Sequence, residues 1–183
     1  MTDLEKAIGS KVYLGSYQDF YAIEYNDCVS DLLLIEEVQK LDEYNQHLKT
    51  TRFQHSINVS YYSYLVCKFL HCDYRSAARA GLLHDLFLYD WRVDKQPEGN
   101  HAVAHPIVAL RNAQKAVTLN KIEQDAIVKH MWPLTFVPPR YKESFVVSMM
   151  DKYCAGLEVA EGLWQKLYDK RRKHRKVATG DAN

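Results

Sequence analysis

A run of small and aliphatic residues that ends in an adjacent histidine and aspartate places the tightest constraint on the fold of this chain. The run occupies residues 77–83 and leads directly into His84 and Asp85. Small side chains allow a helix to approach its neighbours closely, so the run predicts a helix in the interior of the protein. An imidazole and a carboxylate at the end of that helix can bind one metal ion or two neighbouring ions.

The remainder of the chain is also patterned for helices. Its 183 residues are 47% apolar and include only seven glycines and five prolines, which suits one globular domain with a substantial core. Apolar residues recur at intervals of three or four, and no segment gives a persuasive strand pattern. The sequence therefore predicts an all-α fold, a single helical bundle. We expect helices over residues 30–44, 52–71, 74–87, 105–117 and 120–130, and a long helical region from residue 141 onwards.

Capping residues set the expected helix limits. The pair Thr50-Thr51 and Asp73 each precede a predicted helix and can serve as its N-cap. Asn120 and Glu123 have the spacing of a capping box. Pro106 is compatible with the first turn of its helix, where no backbone N–H is needed.

Three parts of the chain are expected to differ in role. We assign residues 1–49 to an N-terminal extension and first helix packed on the core, residues 50–169 to the main domain, and residues 170–183 to a basic tail. The last helical region is expected to break near Gly156 or Gly162, because glycine weakens a helix interior.

Composition narrows the function classes. The formal net charge of +1 gives no overall field that would attract nucleic acid or an anionic membrane. No apolar stretch approaches the ~20 residues needed to span a bilayer, and the N-terminus lacks the pattern of a signal peptide. We therefore expect a cytoplasmic protein without a membrane partner. The four cysteines are expected to be buried small side chains. The basic segment 170–176 is typical of a solvated helix end, with RNA or another anionic partner as the less favoured alternative.

Four further side chains that can bind metal lie on apolar faces of predicted helices. They are His55, His105, His130 and Asp151. A single histidine in such a position is most often a hydrogen-bonded core residue, but the whole set on inward faces indicates metal ligands. Mixed imidazole and carboxylate ligands suit a divalent transition metal and leave open iron, manganese, zinc and nickel.

In their order and sequence contexts, these residues resemble the ligands of the HD-domain metal-dependent phosphohydrolases. The resemblance covers roughly residues 50–157. It implies that His55, His84, Asp85 and Asp151 surround one metal ion.

Two further histidines resemble the additional ligands of a two-metal branch of that family. His105 is followed by proline, as in the corresponding element of the branch, and His130 occupies the place of its second extra histidine. The resemblance implies that these two residues hold a second ion, with Asp85 as the bridge and a catalytic residue. His101 competes with His105 for this ligand position.

The resemblance implies hydrolysis of a nucleotide, or of another small phosphoester or phosphoanhydride, by a metal-activated water. Two ions about 3.5–4 Å apart can neutralise phosphate oxygens and activate the attacking water. Arg52, one turn before His55, is predicted to be catalytic by reaching a substrate phosphate, with a structural role as the alternative. Lys152 and Arg140 are weaker candidates for that contact. The alternative function is a non-catalytic HD module that binds a nucleotide or partner and keeps a structural metal.

Some positions depart from the family pattern. Many relatives carry a lysine three residues after the His-Asp pair, where this chain has Leu88, and a glycine where it has Phe87. A Gly-Tyr-Pro signature of cyclic-dinucleotide-degrading relatives is absent. The sequence most resembles the branch of symmetrical dinucleoside tetraphosphate hydrolases. We expect the loops 89–100 and 132–140, each of which follows a ligand-bearing helix, to line the mouth of the pocket.

Overall fold

The computed structural model of the protein describes residues 6–48, 50–93 and 101–179, without the side chains of His47 and of residues 173–179. Residues 94–100 of the predicted loop lie outside the described residues, as do the first five residues and residues 180–183. The all-α class is confirmed. The described helices are α1 (Phe20–Leu33), α2 (Glu36–Gln39), a 3₁₀ helix (Lys40–Glu43), α3 (Arg52–Phe69), α4 (Tyr74–Leu83), α5 (His101–Ala116), α6 (Lys121–Lys129) and α7 (Lys142–Thr179). A short antiparallel ribbon, β1 (Asn45–His47) and β2 (Thr50–Thr51), precedes α3.

The small residues predicted to allow close packing bring α4 against α3. A β-carbon added at Gly81 would lie only 2.8 Å from Cα of Ser60, so the two backbones are in contact at this point. The hydroxyl of Ser60 donates to the carbonyl of Ala78 at 2.7 Å and accepts from the hydroxyl of Tyr25 at 3.0 Å. The helix that leads into the His-Asp pair is therefore fixed at the centre of the bundle.

Helix α1 differs from the expectation for this part of the chain. Asp19 caps it by accepting from two backbone N–H groups, and its inward face buries Tyr25, Val29 and Leu32. The chain then turns at Ile35, which has an extended backbone (ψ 126°) before α2. The prediction of one helix over residues 30–44 is therefore wrong. The helix begins earlier, after its cap at Asp19, and the extended backbone of Ile35 separates it from α2.

A buried ionic network joins three helices. Arg79 of α4 is 8% exposed and donates to Asp31 of α1 at 2.6 Å and to Glu123 of α6 at 2.9 Å. Glu123 also accepts from the backbone N–H of Asn120, whose side chain caps α6 in return. The predicted capping box is confirmed, and it has a second role in holding α4.

Several helix limits follow the predicted caps and others do not. Thr51 and Asp73 cap α3 and α4 as predicted. Helix α4 ends at Leu83, so the His-Asp pair lies in the turn that follows it rather than inside a helix extending to residue 87. Helix α5 begins at His101, which makes Pro106 its sixth residue and not a first-turn residue as predicted.

Helix α7 is continuous over 38 residues, so the predicted break at Gly156 or Gly162 is wrong. A β-carbon at Gly162 would lie 2.5 Å from Cδ1 of Leu48, which follows β1. The glycine therefore admits a close neighbour and does not end the helix. No helix within the described ranges is long and apolar enough to cross a membrane. Cys28, Cys67 and Cys154 are buried as expected, whereas Cys72 is partly exposed, contrary to the expectation.

Candidate metal centre

The six predicted metal ligands converge from five parts of the bundle. His55 lies in the first turn of α3, His84 and Asp85 directly follow α4, His105 lies on α5, His130 follows α6, and Asp151 lies on α7. Their side chains are buried, apart from that of Asp151, which is 14% exposed. Residues separated by as many as 96 positions thus form one cluster.

Four of these residues form the first group. Nε2 of His55 lies 3.1 Å from Oδ1 of Asp151, and Nε2 of His84 lies 3.7 Å from the same oxygen. Nε2 of His84 is also 3.6 Å from Oδ2 of Asp85. The ligand atoms of His55, His84 and Asp85 all lie within 4.8 Å of one another, a spacing compatible with one ion bound at about 2.0–2.2 Å.

A second group lies beside the first and shares Asp85 with it. Oδ1 of Asp85 lies 3.3 Å from Nε2 of His105 and 3.6 Å from Nε2 of His130. The two histidine nitrogens are 2.9 Å apart and face each other. The ligand atoms of this group also lie within 4.8 Å of one another. His101 is not part of it; its ring stacks on that of His105, with the ring centroids 4.5 Å apart.

Two buried polar atoms that lack hydrogen-bond partners among the described residues support a cation in these groups. Nε2 of His84 and Oδ1 of Asp85 are buried, and neither has a hydrogen bond to any described residue. Leaving such atoms unpaired costs about 1–3 kcal/mol each, and more for a charged group. A cation would satisfy both atoms and would also separate the lone pairs of the facing His105 and His130, so the donor set fits a divalent transition metal.

Backbone carbonyls fix the orientation of three of the histidines. Nδ1 of His84 lies 2.7 Å from the carbonyl of Gly81, Nδ1 of His105 lies 2.7 Å from that of His101, and Nδ1 of His130 lies 2.8 Å from that of Ile127. A carbonyl only accepts, so Nδ1 carries the proton in each ring. The lone pair of Nε2 is thus directed into the cluster, as a metal ligand requires.

The charges in the cluster also favour metal binding. Burial alone would raise the pKa of Asp85, but the three histidines around it hold that pKa well below its usual value. Burial likewise opposes ionisation of Asp151, and contact with His55 and two further histidines lowers its pKa. Burial and the neighbouring histidines lower the pKa of His130 to about 3, so this ring is neutral near pH 7. Anionic carboxylates and a neutral His130 are forms that bind metal. Burial lowers the pKa of His55, but its hydrogen bonds to Asp151 and Glu158 raise that pKa to about 10, so His55 releases a proton from Nε2 when an ion binds.

Two supporting residues were missed by the sequence reasoning. Nε2 of Gln46, on β1, donates to Oδ2 of Asp85 at 2.7 Å. Glu158, on α7, accepts from Nδ1 of His55 at 3.0 Å. The position of Gln46 depends on a ribbon that the sequence did not indicate. Glu158 could have been found, because it lies two helical turns after Asp151 and therefore on the same face.

Arg52 is buried beside the cluster. Its Nη1 donates to the carbonyl of Phe87 at 2.6 Å, its Nη2 to the carbonyl of Tyr89 at 3.3 Å, and its Nε to Oε1 of Gln46 at 3.1 Å. The guanidinium also lies over the ring of Phe87, 3.7 Å from its centroid. These contacts hold the segment after the His-Asp pair. The predicted contact with a substrate phosphate remains a prediction.

An open cavity of about 270 Å³ gives access to the predicted ligands. Its base includes Asp85, His105, His130 and Asp151. Nζ of Lys152 lies at its wall, 3.2 Å from Oδ2 of Asp151. The other lining residues are Gln46, Trp91, His101, Ala102, Met131, Leu134 and Ala155. Arg140, the other weaker candidate, has an exposed side chain in the loop before α7.

The described parts of the two predicted loops meet this cavity. Trp91 follows the His-Asp pair and stacks on His101, with ring centroids 5.3 Å apart and an interplanar angle of 11°. Arg92 fixes the segment by donating to the carbonyls of Asn45 and Gln46 at 3.1 and 2.7 Å. Leu134 lines the cavity from the loop that follows α6. Both loops therefore contribute to the rim.

Comparison with known proteins gives one further observation. Part of the chain is similar to a ribonuclease. The match is to Ribonuclease Y of Clostridium tetani (strain Massachusetts / E88), with 41% identity over 69 residues, which are 38% of this chain and 13% of the ribonuclease. No protein-family model matches the chain, and no solved structure matches it significantly. This short similarity and the two histidine and aspartate groups are compatible with an HD-type protein.

Proposed function

We propose that the protein is a metal-dependent phosphohydrolase that acts on a nucleotide, or on another small phosphoester or phosphoanhydride. The observation that carries the proposal is the pair of ligand groups that share Asp85 at the base of an open cavity. Divalent cations bound there would neutralise phosphate oxygens and activate water for attack on phosphorus. The similarity to a ribonuclease also supports hydrolysis of a phosphate ester.

The chain's own residues would bind and orient the substrate. Lys152 is a cation among the described residues that line the cavity, and its ammonium is held by the carbonyl of His130 at 2.6 Å and by Asp151 at 3.2 Å. A substrate phosphate over the ligands would therefore meet a positive charge, although Leu88 occupies the position where many relatives have a lysine. Trp91 and Leu134, at the rim, would limit the size of the group attached to the phosphate.

Arg52 and Gln46 would maintain the geometry of Asp85. Arg52 donates to Gln46, and Gln46 in turn donates to Oδ2 of Asp85. The carboxylate therefore keeps one orientation, with Oδ1 towards His105 and His130. Fixed ligands of this kind reduce the reorganisation needed when substrate binds.

The test is a metal-dependent assay on purified protein. The panel should contain nucleoside mono-, di- and triphosphates, dinucleoside polyphosphates, cyclic dinucleotides and short RNA, because the similar relative is a ribonuclease. We expect release of phosphate or nucleotide from at least one compound, loss of that activity with a strong chelator, and recovery with manganese, iron, nickel or cobalt. Binding of these compounds by the metal-loaded protein without cleavage would instead support the non-catalytic module.

A further inference from the structure

Glu158 is a buried carboxylate that contacts the side of one predicted ligand that faces away from the cluster. It is 2% exposed, and each of its two carboxylate oxygens lies 3.0 Å from Nδ1 of His55. The other ring nitrogen of His55, Nε2, faces Asp151 at 3.1 Å. The imidazole therefore lies between two carboxylates, one inside the ligand group and one outside it.

Glu158 is itself held in place by a polar network. Nδ2 of Asn58, one turn after His55 on α3, donates to Oε1 of Glu158 at 2.7 Å. Oδ1 of Asn58 in turn accepts from the backbone N–H of Ile8 at 3.0 Å and from Nε2 of Gln54 at 2.9 Å. A buried carboxylate is costly unless such hydrogen bonds satisfy it, so this position is well defined.

The partner of His55 differs from those of the other three ligand histidines. His84, His105 and His130 direct Nδ1 at neutral backbone carbonyls. A carboxylate is a stronger acceptor than a carbonyl, and a hydrogen bond to it increases the basicity of the imidazole as a ligand. Only the first group contains a histidine that is hydrogen-bonded to a carboxylate. The second group consists of Asp85 and two histidines whose Nδ1 atoms contact backbone carbonyls.

Glu158 cannot act as a ligand from this position. The ring of His55 separates it from Asp151, and it belongs to neither group of ligand atoms. It borders a different surface groove, which Thr51, Gln54 and Glu161 also line. Any effect of Glu158 on the metal must therefore pass through His55.

We propose that Glu158 is a positioning residue for the metal ion held by His55: it keeps the proton on Nδ1, directs Nε2 into the cluster and raises the affinity of the first group alone. The inference rests on the proposed metal centre. An outer carboxylate of this kind typically changes metal affinity by roughly 10- to 100-fold. The ion bound by Asp85, His105 and His130 should be little affected.

The test measures metal affinity rather than activity. The full chain is freed of metal and titrated with Zn²⁺ or Mn²⁺ against a competing chelator. In Glu158→Gln the amide can donate to Nδ1 and favour the wrong tautomer, so we expect one of two binding steps to weaken roughly 10- to 100-fold while the other is unchanged. Glu158→Asp, which keeps the charge, should have an intermediate effect. Glu161→Gln, an exposed change one turn away, should match wild type.

Other outcomes separate this inference from the proposed function. Unchanged metal affinities in Glu158→Gln would overturn the inference. Equal weakening of both binding steps with a large fall in Tm would also overturn it, because that result is expected of a purely structural residue. In a His55→Ala background, Glu158→Gln should weaken the remaining step no further, and an additional loss would also overturn the inference. If wild type itself binds no metal, the proposed function fails.

Discussion

Nε2 of Gln46 lies 2.7 Å from Oδ2 of Asp85, so a two-stranded ribbon contacts the carboxylate shared by both ligand groups. Gln46 also accepts from Nε of Arg52 at 3.1 Å, which fixes its amide with the N–H groups towards the aspartate. The hydrogen bond leaves Oδ1 for the second group. This relationship gives an otherwise minor ribbon a role in the geometry of the site.

Gln46→Leu should impair hydrolysis while leaving the fold intact. The change removes the hydrogen bond to ionised Asp85, which is worth about 1.5–3 kcal/mol, and leaves Nε of Arg52 without its acceptor on Gln46. We therefore expect kcat/KM to fall by at least roughly one to two orders of magnitude. Gln165→Leu, an exposed residue on α7, serves as the control. Equal activity of the two variants would show that Gln46 does not orient Asp85.

Lys152→Gln should weaken substrate binding more than it slows turnover. Lys152 lines the cavity and its ammonium lies beside Asp151, where it can meet a substrate phosphate. Loss of a charge-assisted contact predicts a rise in KM of about 10-fold or more. Lys152→Arg keeps the positive charge and should retain part of the substrate affinity. Lys166→Gln, on the exposed part of α7, should match wild type. A change in kcat alone would argue against phosphate binding by Lys152.

The stability of the metal-free protein should fall at alkaline pH. Burial by itself lowers the pKa of His55, but hydrogen bonds to Asp151 and Glu158 raise it from 6.5 to about 10. Protonated His55 therefore stabilises the folded state fully below about pH 6.5, and this contribution is lost as the pH rises to about 10. One proton gives a slope of about 1.4 kcal/mol per pH unit inside this window.

Thermal unfolding of chelator-treated protein across this pH range provides the measurement. Wild type should lose Tm steadily with rising pH, whereas His55→Gln should show a much flatter dependence. Metal-loaded wild type should also be flatter, because the ion replaces the proton on Nε2. If Tm falls with pH equally in wild type and in His55→Gln, His55 is not the group whose protonation stabilises the metal-free fold.

Two glycine substitutions should have opposite effects on stability. In Gly81→Ala the new methyl group would meet the backbone of Ser60 at 2.8 Å, so α3 and α4 must separate, at a cost of about 1–3 kcal/mol. In Gly156→Ala nothing lies within 4 Å, and the helix should gain about 0.5–1 kcal/mol. Denaturant unfolding measures both changes, and a tolerated Gly81→Ala would contradict the close contact of the two helices.

Local signals in the sequence predicted much of the helical framework. Thr51, Asp73 and Asn120 each cap the helix that follows them, because a cap depends on residues within one turn. The six predicted ligands stand out because each is a polar residue among apolar neighbours in the sequence. Their meeting in one cluster supports the grouping that the family resemblance implied, although their roles stay predictions.

Long-range contacts explain what the sequence could not predict. Helix α1 was missed because Phe20, Tyr21 and Ile23 are exposed apolar residues that obscure its buried face. Gly162 suggested a helix break because the sequence does not show the close contact with Leu48 that requires a glycine there. Leu48 is distant in the sequence, so no local pattern reveals this contact. Gln46 reaches Asp85 across 39 residues, and no local pattern predicts a contact of that separation.

The number of metal ions per chain tests the central claim most directly. Elemental analysis of protein purified without chelators should approach two divalent transition metals per chain for wild type. His130→Ala should retain about one, because His130 belongs to one group. Asp85→Asn should retain close to none, because Asp85 belongs to both groups. Asp90→Asn, in the segment after the pair, is the control and should keep two, while circular dichroism should show a helical fold in every variant. A wild-type protein that binds no metal, or an Asp85→Asn protein that retains the full complement, would contradict the account.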